Sequence, residues 1–335
     1  MRCMEPAAAA AALGLGALRG PAVVLKADEL SPVWRLDTAT GTWVVKSLLP
    51  HGDYWLADVA QTGRLEAAAW EAGVAMAEPL RPETAAAGMW APVGDGSYAR
   101  AARFLDGAPA PAPVPRRLAA WAGATFAALE RLAVAPDRDP AGDYAFRFHP
   151  EAEWDEWLGQ AQDLDVLDAA GSRALKDIAV RIAAAGEPAV AAMPRRLVVH
   201  GDFSHLNIMV TPQGPKLIDF DSGGPAVPWW ELVAIAIEMG APALGVMEPD
   251  RASVEACVSG YADAGGTVRD TGEGAFTGML AGRLSTAAWQ LWMACGHRGG
   301  SPETQAGFAR DLRGSITALT AMLDALPVWS SWLKG

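Results

Sequence analysis

Nine residues, GAPAPAPVP from Gly107 to Pro115, constrain the fold more than any other stretch of this chain. Proline at every other position removes backbone donors and fixes φ, so neither a helix nor a central strand can run through it. The piece reads as an extended connector. What lies on either side differs in kind. Before it, PAVVL, VWRLD, TWVVKSLL and SYARAARFL are short, β-branched or aromatic, and separated by Asp, Thr, Gly and Pro turns, which is the pattern of strands. One helix interrupts them, from Arg64 to Gly73, where strong helix formers end in a glycine stop. After the connector, Leu118, Trp121, Thr125, Leu129 and Leu132 recur at spacings of three and four, and Trp154, Trp157, Leu158 and Ala161 form a second helical stripe. The expectation is an α+β chain with a strand-rich part at 1–106, a connector at 107–116 and a larger helical part at 117–335.

Composition narrows the partners. The 335 residues are 51% hydrophobic and 20% charged, enough apolar material to offset the entropy of ordering and too long for a small disulfide scaffold. With 27 basic and 39 acidic side chains the net charge is -12, which repels a nucleic-acid backbone and an anionic lipid surface and favours cations. Cys3, Cys257 and Cys295 match neither a disulfide framework nor a metal spacing, and a reducing cytoplasm is the expected location. The run from Ala7 to Leu18 is mostly alanine and is followed by Arg19, so it reads as a helix or a frayed arm rather than a signal peptide. The longest later apolar run, Leu232 to Met247, is broken by Glu238, Gly240 and Pro242, too short to span a bilayer. A soluble chain is expected.

Inside the helical part lies an island of strand and turn, RLVVHGDFSHLNIMVTPQGPKLIDFD, from Arg196 to Asp221. Leu197 to Val199, Ile208 to Val210 and Lys216 to Ile218 read as short strands, the last two joined by the turn TPQG. His200, Asp202, Asn207, Asp219 and Asp221 stand at their ends, where chemistry is usually carried. Phosphoryl transfer requires a carboxylate for the acceptor hydroxyl, oxygen ligands for Mg²⁺ and a cation on the phosphates. Asp202 and Asn207, five positions apart on one loop, and Asp219 one hairpin later supply the first two.

HGDFSHLN followed by LIDFD resembles the catalytic loop and metal-binding motif of the aminoglycoside phosphotransferase and choline kinase superfamily, small-molecule relatives of protein kinases. Glycine at Gly201, where protein kinases usually carry arginine, favours the small-molecule branch. The resemblance implies a bilobal protein-kinase-like fold, with an antiparallel-sheet N-terminal lobe that contains one helix and a larger, mainly helical C-terminal lobe. It implies ATP or GTP with Mg²⁺ as cofactors and a small-molecule acceptor. Asp202 resembles the catalytic aspartate, Asn207 and Asp219 the metal ligands, and His200 a histidine packed under the loop. Lys46, ending TWVVK, matches the lysine on the α- and β-phosphates, and Glu66, preferred over Glu71, matches its ion-pair partner. With no glycine-rich loop, Ser31 and nearby amides of ADELSPVWRL take over the phosphate cradle. Arg103, Phe104 and Leu105, with Asp106 and Gly107, resemble the hinge that binds the adenine edge. Asp221 is expected to support the metal or face the acceptor, Glu231 to brace the loop, and His205, in Ser-His-Leu instead of the family's His-Pro-Gly, to be a solvated loop residue.

The acceptor is written less plainly. From Glu151 to Asp168 the chain carries seven acids and no lysine or arginine. One reading is a solvated helix face. The other is a trap in which Glu153, Asp155, Glu156 and Trp154 hold a cationic acceptor by charge and cation–π attraction. With Asp202, Asn207, Asp219 and Lys46 all filled by competent residues, an active enzyme is expected rather than a kinase-like chain that only binds nucleotide or a partner.

Overall fold

The computed structural model describes residues 5–27, 31–49, 54–94, 96–137, 148–192, 196–243, 246, 248–297 and 299–334. Tertiary packing divides the chain into two compact units, one of residues 1–111, 125–137 and 197–225, the other of residues 112–124, 138–196 and 226–335. The strand island Leu197–Pro225 thus packs with the N-terminal sheet rather than with the helices that flank it in sequence.

In the first unit, helix α1 (Pro6–Ala12) precedes strands β1 (Val23–Lys26), β2 (Val33–Thr38) and β3 (Gly41–Leu48), helix α2 (Tyr54–Glu71), and strands β4 (Ala91–Gly94) and β5 (Ser97–Arg103). The five strands form one antiparallel sheet in the order β1-β2-β3-β5-β4. Alternation sends Trp34 and Leu36 of β2 and Trp43 and Val45 of β3 into a core with Leu13, Leu15, Ala99 and Ala101. The same alternation puts Lys46 on the opposite face, and the β3–β5 register sets it directly across from Arg100. Helix α2 starts well before the expected Arg64, because YWLADVAQTG holds no proline and is itself rich in residues that tolerate a helix. The expected strands at VWRLD, TWVVKSLL and SYARAARFL are present; β4, four residues with a proline on the sheet edge, carries too little pattern to be read in advance.

The connector is not wholly free of sheet. Ala108–Pro109 forms β6, which pairs with β8 (Ile208–Thr211) through Ala108↔Val210 and Pro109↔Met209. Proline is tolerated there because β6 is the edge of the three-stranded order β6-β8-β9, with β9 at Gly214–Leu217. The turn between β8 and β9 closes at Thr211↔Gly214, as TPQG suggests. Ahead of them stands β7 (Leu197–Val199), and β10 (Gly224–Ala226) lies beside it.

The second unit is helical. Helix α3 (Arg116–Arg131) crosses the division, and α4 (Glu151–Asp163), α5 (Ala169–Ala191), α6 (Pro228–Gly240), α7 (Arg251–Asp263), α8 (Thr277–Ala294) and α9 (Pro302–Trp332) complete it. Helix α6 buries Trp229, Leu232, Val233, Ile235, Ala236 and Ile237, apolar nearly all round, and so forms the unit's centre. Trp154, Leu158 and Ala161 of α4 are buried, so the predicted stripe is core. No described helix is long and apolar enough to cross a membrane.

Candidate active site

Every residue of the strand-end constellation belongs to the first unit. At the end of β7 the chain turns through His200, whose side chain is fully buried between Phe203 and Phe220. Its Nε2 donates to the Ile218 carbonyl at 3.0 Å and its Nδ1 accepts the Asp202 N–H at 3.3 Å. One imidazole therefore ties the loop to the segment that carries Asp219. Burial holds its pKa down at about 4, so the ring is neutral and structural, as expected. The unfolded chain protonates this histidine near 6.5 and the folded chain only near 4, so its contribution is complete above pH 6.5 and is lost as pH falls toward 4. Chemical denaturation at pH 7 and pH 5 should show the wild type losing about 2 kcal/mol through this group, and His200→Gln lacking that part of the slope.

Gly201 follows in the left-handed region, φ 76°. A Cβ on it would stand 2.2 Å from the Ser222 carbonyl oxygen, so the loop and the turn after β9 approach more closely than any side chain permits. The glycine that set the motif apart from protein kinases has a steric cause here. Asn207, in a 3₁₀ turn over His205–Asn207, donates both to the Asp202 carbonyl at 2.7 Å and to Asp202 Oδ2 at 2.8 Å. Its own carbonyl accepts from Ile218. One amide N–H thus holds the Asp202 backbone and the other its exposed carboxylate, and the amide oxygen is what Asn207 has left to offer a cation. The same turn carries His205 inward: it is buried, not the solvated loop residue expected from the sequence.

Asp219 also adopts a left-handed conformation, φ 62°, which costs a non-glycine residue free energy. Lys46 Nζ lies 3.2 Å from Asp219 Oδ1 and 2.7 Å from Asp221 Oδ2. Here the structure corrects an expectation. Glu66 does not pair with Lys46; its Oε1 lies 2.5 Å from Arg100 Nη2, while Arg100 Nη1 bonds Asp221 Oδ1. The reason is register: β5 places Arg100 beside Lys46, and the longer, forked guanidinium reaches Glu66 first. Glu71, the rejected competitor, is exposed and paired with Arg81 at 2.8 Å. Burial would push Asp221 up, but Arg100 and Lys46 together hold its carboxyl at about 2. Burial also works against the Lys46 charge, and Asp221 and Asp219 outweigh it, raising its pKa. Burial and the neighbouring Asp221 push the Asp219 carboxyl up.

Oxygen donors in this set suit Mg²⁺, which takes one or two protein groups and leaves the rest to phosphates and water. Asp219 and the amide oxygen of Asn207 are such a pair, and no described cluster of three His, Cys, Asp or Glu forms an all-protein cage. Ser31, half-buried ahead of β2, precedes Pro32, whose carbonyl accepts the Ser47 N–H at 3.1 Å; positions 28–30 of the expected cradle lie outside the described residues. At the hinge, the Arg103 and Phe104 amides are already bonded to the Glu78 and Thr42 carbonyls. The Arg103 guanidinium lies 3.9 Å from the Trp43 ring centre, and that of Arg35 lies over Phe104. Those two amides thus donate within the first unit.

In the second unit, α4 is less acidic than its sequence. Lys176 of α5 pairs with Glu151 at 2.9 Å and Asp155 at 2.6 Å, and Glu153 holds His149 at 2.8 Å. Trp154 is 2% exposed and meets the ring of Trp157 edge to face, so it is core and not a ligand surface, which corrects that part of the trap reading. Glu156 alone of the four candidates is exposed without a described ion pair. Glu231 lies in the first turn of α6.

Sequence and structure comparisons give the family and the fold. A family model described as the phosphotransferase enzyme family (APH) matches residues 22–274. No curated protein matches the sequence. Among solved structures, the microcompartment-associated aminopropanol kinase is similar at a TM-score of 0.62 and 15% identity, covering 94% of this chain and 96% of that one. A choline/ethanolamine kinase family protein from Mesorhizobium loti gives 0.59 and 20%, covering 98% and 97%. The amicoumacin kinase hAmiN, in complex with AMP-PNP, Ca²⁺ and Ami, gives 0.58 and 14%, covering 90% of each chain. At these identities the likeness is one of fold.

Proposed function

The chain belongs to the phosphotransferase enzyme family, and on that premise we propose that it transfers the γ-phosphate of ATP or GTP to a hydroxyl of a small molecule. The observation that carries this reading is the placement of two carboxylates: the Asn207 amide donates to the Asp202 carbonyl and to Asp202 Oδ2, and Asp219 faces Lys46 at 3.2 Å. Asp202 accepts the proton of the acceptor hydroxyl as that oxygen bonds to the γ-phosphorus and the bond to the nucleoside diphosphate breaks. Lys46 neutralises the phosphates, the Ser31 region cradles them, and Leu105 offers its backbone to the base. Asn207 and Asp219 would hold Mg²⁺, which offsets the charge that builds on the phosphate oxygens.

For the acceptor, the net charge of -12 supports a cation, with an aminoglycoside-like antibiotic as the first candidate. The fold likeness to an aminopropanol kinase and a choline/ethanolamine kinase family protein favours a second reading, a metabolic amino alcohol. Because Lys176 and His149 already engage Glu151, Asp155 and Glu153, α4 adds less to such a site than its composition suggests. A screen of aminoglycosides, choline, amino alcohols and sugar alcohols for nucleotide consumption separates the two. The test of the site itself is thermal stabilisation by nucleotide with and without Mg²⁺. The Mg²⁺-dependent part should shrink in Asn207→Ala and shrink further in Asp219→Ala, which loses a full charge. An unchanged Mg²⁺ dependence in both variants would place the ligands elsewhere. With its reducing-type cysteine usage, the chain is expected to act in the cytoplasm.

A further inference from the structure

Arg100 has no counterpart in the motifs read from the sequence, yet it sits at the centre of the charge network. It stands directly across from Lys46 in the β3–β5 register, so two cations share one face of the sheet at neighbouring positions. Like charges placed that way repel unless carboxylates separate them. Three do. Glu66 takes one arm of the Arg100 guanidinium, Asp221 the other arm and also the Lys46 ammonium, and Asp219 faces both Lys46 and Asp221. Burial divides the five groups into two sets: the Arg100, Glu66 and Asp221 side chains are 8%, 3% and 12% exposed, whereas Lys46 and Asp219 are 25% and 38% exposed. The inner three are fixed by a bidentate, largely desolvated contact. The outer two are the more exposed pair.

That division matters because Lys46 is contested. Asp221 touches it at 2.7 Å, closer than Asp219 does, and a lysine held by a buried carboxylate is withheld from a phosphate. Building on the proposed phosphotransfer, we propose that Arg100 is a positioning residue: by neutralising Asp221 and Glu66 together, it leaves Lys46 free to move to the nucleotide phosphates. A lysine at position 100 could not do both, since a single ammonium lacks the fork that spans the two carboxylates. Without any cation there, Asp221 would keep Lys46 as its sole partner.

The test is direct binding of ATP with Mg²⁺ to the full-length chain by calorimetry, which requires no knowledge of the acceptor. Arg100→Gln should weaken ATP binding by about tenfold or more, and Arg100→Gln combined with Asp221→Asn, which removes the competing carboxylate, should return it to within about threefold of the wild type. A merely structural role would move the denaturant midpoint and leave the affinity of the folded chain at the wild-type value, so midpoints are recorded beside the affinities. Should Arg100→Gln fail to fold because two buried carboxylates are left facing each other, Arg100→Lys and Arg100→Lys/Asp221→Asn make the same comparison with a charge retained. Wild-type affinity in the single variants, or no recovery in the doubles, overturns the role of Arg100 and leaves the phosphotransferase reading intact. A wild-type chain that binds neither ATP nor GTP overturns both.

Discussion

Asp202→Asn should fold, bind nucleotide with Mg²⁺ as the wild type does, and turn over more slowly by about 10² or more, the usual loss when a positioned base is removed. The substitution keeps the size of the side chain and an oxygen that can still accept from Asn207, so the loop geometry survives. What disappears is the carboxylate that takes the hydroxyl proton. Because Asp202 is exposed and the Lys46 ammonium is held by Asp219 and Asp221, the affinity for nucleotide reads out folding independently of chemistry. Single-turnover measurements with the acceptor found by screening would check it, and turnover near wild type would remove Asp202 from the mechanism.

Gly201→Ala should be the most damaging single methyl group in the chain's first unit. Its φ of 76° already disfavours a side chain, and the added Cβ would stand 2.2 Å from the backbone oxygen of Ser222, which no rotamer change can relieve. Either the catalytic loop or the turn after Asp219 must move, and with it the His200 bridge to Ile218. A stability loss of about 3 kcal/mol or more is expected, with activity reduced by at least about tenfold. Gly73→Ala is the matched control: φ there is also 76°, but nothing lies within 4 Å of the new Cβ. It should cost about 1 kcal/mol and leave activity unchanged. Equal effects in the two variants, measured by denaturant midpoints, would show that backbone conformation and not the close approach governs position 201.

Much of this site was legible in the chain because its parts are local. His200, Gly201, Asp202 and Asn207 fall within eight residues, and Asp219 follows after one two-residue hairpin turn. Over so short a span, strand alternation and turn chemistry leave little freedom, and residue type plus spacing specify the geometry. The division into strands and helices around GAPAPAPVP is local in the same sense, resting on β-branched runs and a helical period that each segment carries within itself.

Where partners are distant, the sequence is silent and packing decides. Arg100 lies 34 residues from Glu66 and 121 from Asp221, and in SYARAARFL it looks like any strand arginine. Only the pairing of β3 with β5 sets it beside Lys46, and only α2 crossing that face brings Glu66 to the guanidinium instead of the lysine. The acids of α4 looked available for the same reason, because Lys176 comes from the next helix and the inward turn of Trp154 depends on its packing with Trp157. His205 was misplaced by its polarity, since a short 3₁₀ turn, not its own preference, carries it into the interior. The chain's local order thus determined which groups meet in the strand-end constellation, through propensity and spacing that act over a few residues. The tertiary structure alone decided which charges neutralise one another, because Coulomb attraction and desolvation depend on distance in space and not on distance along the chain.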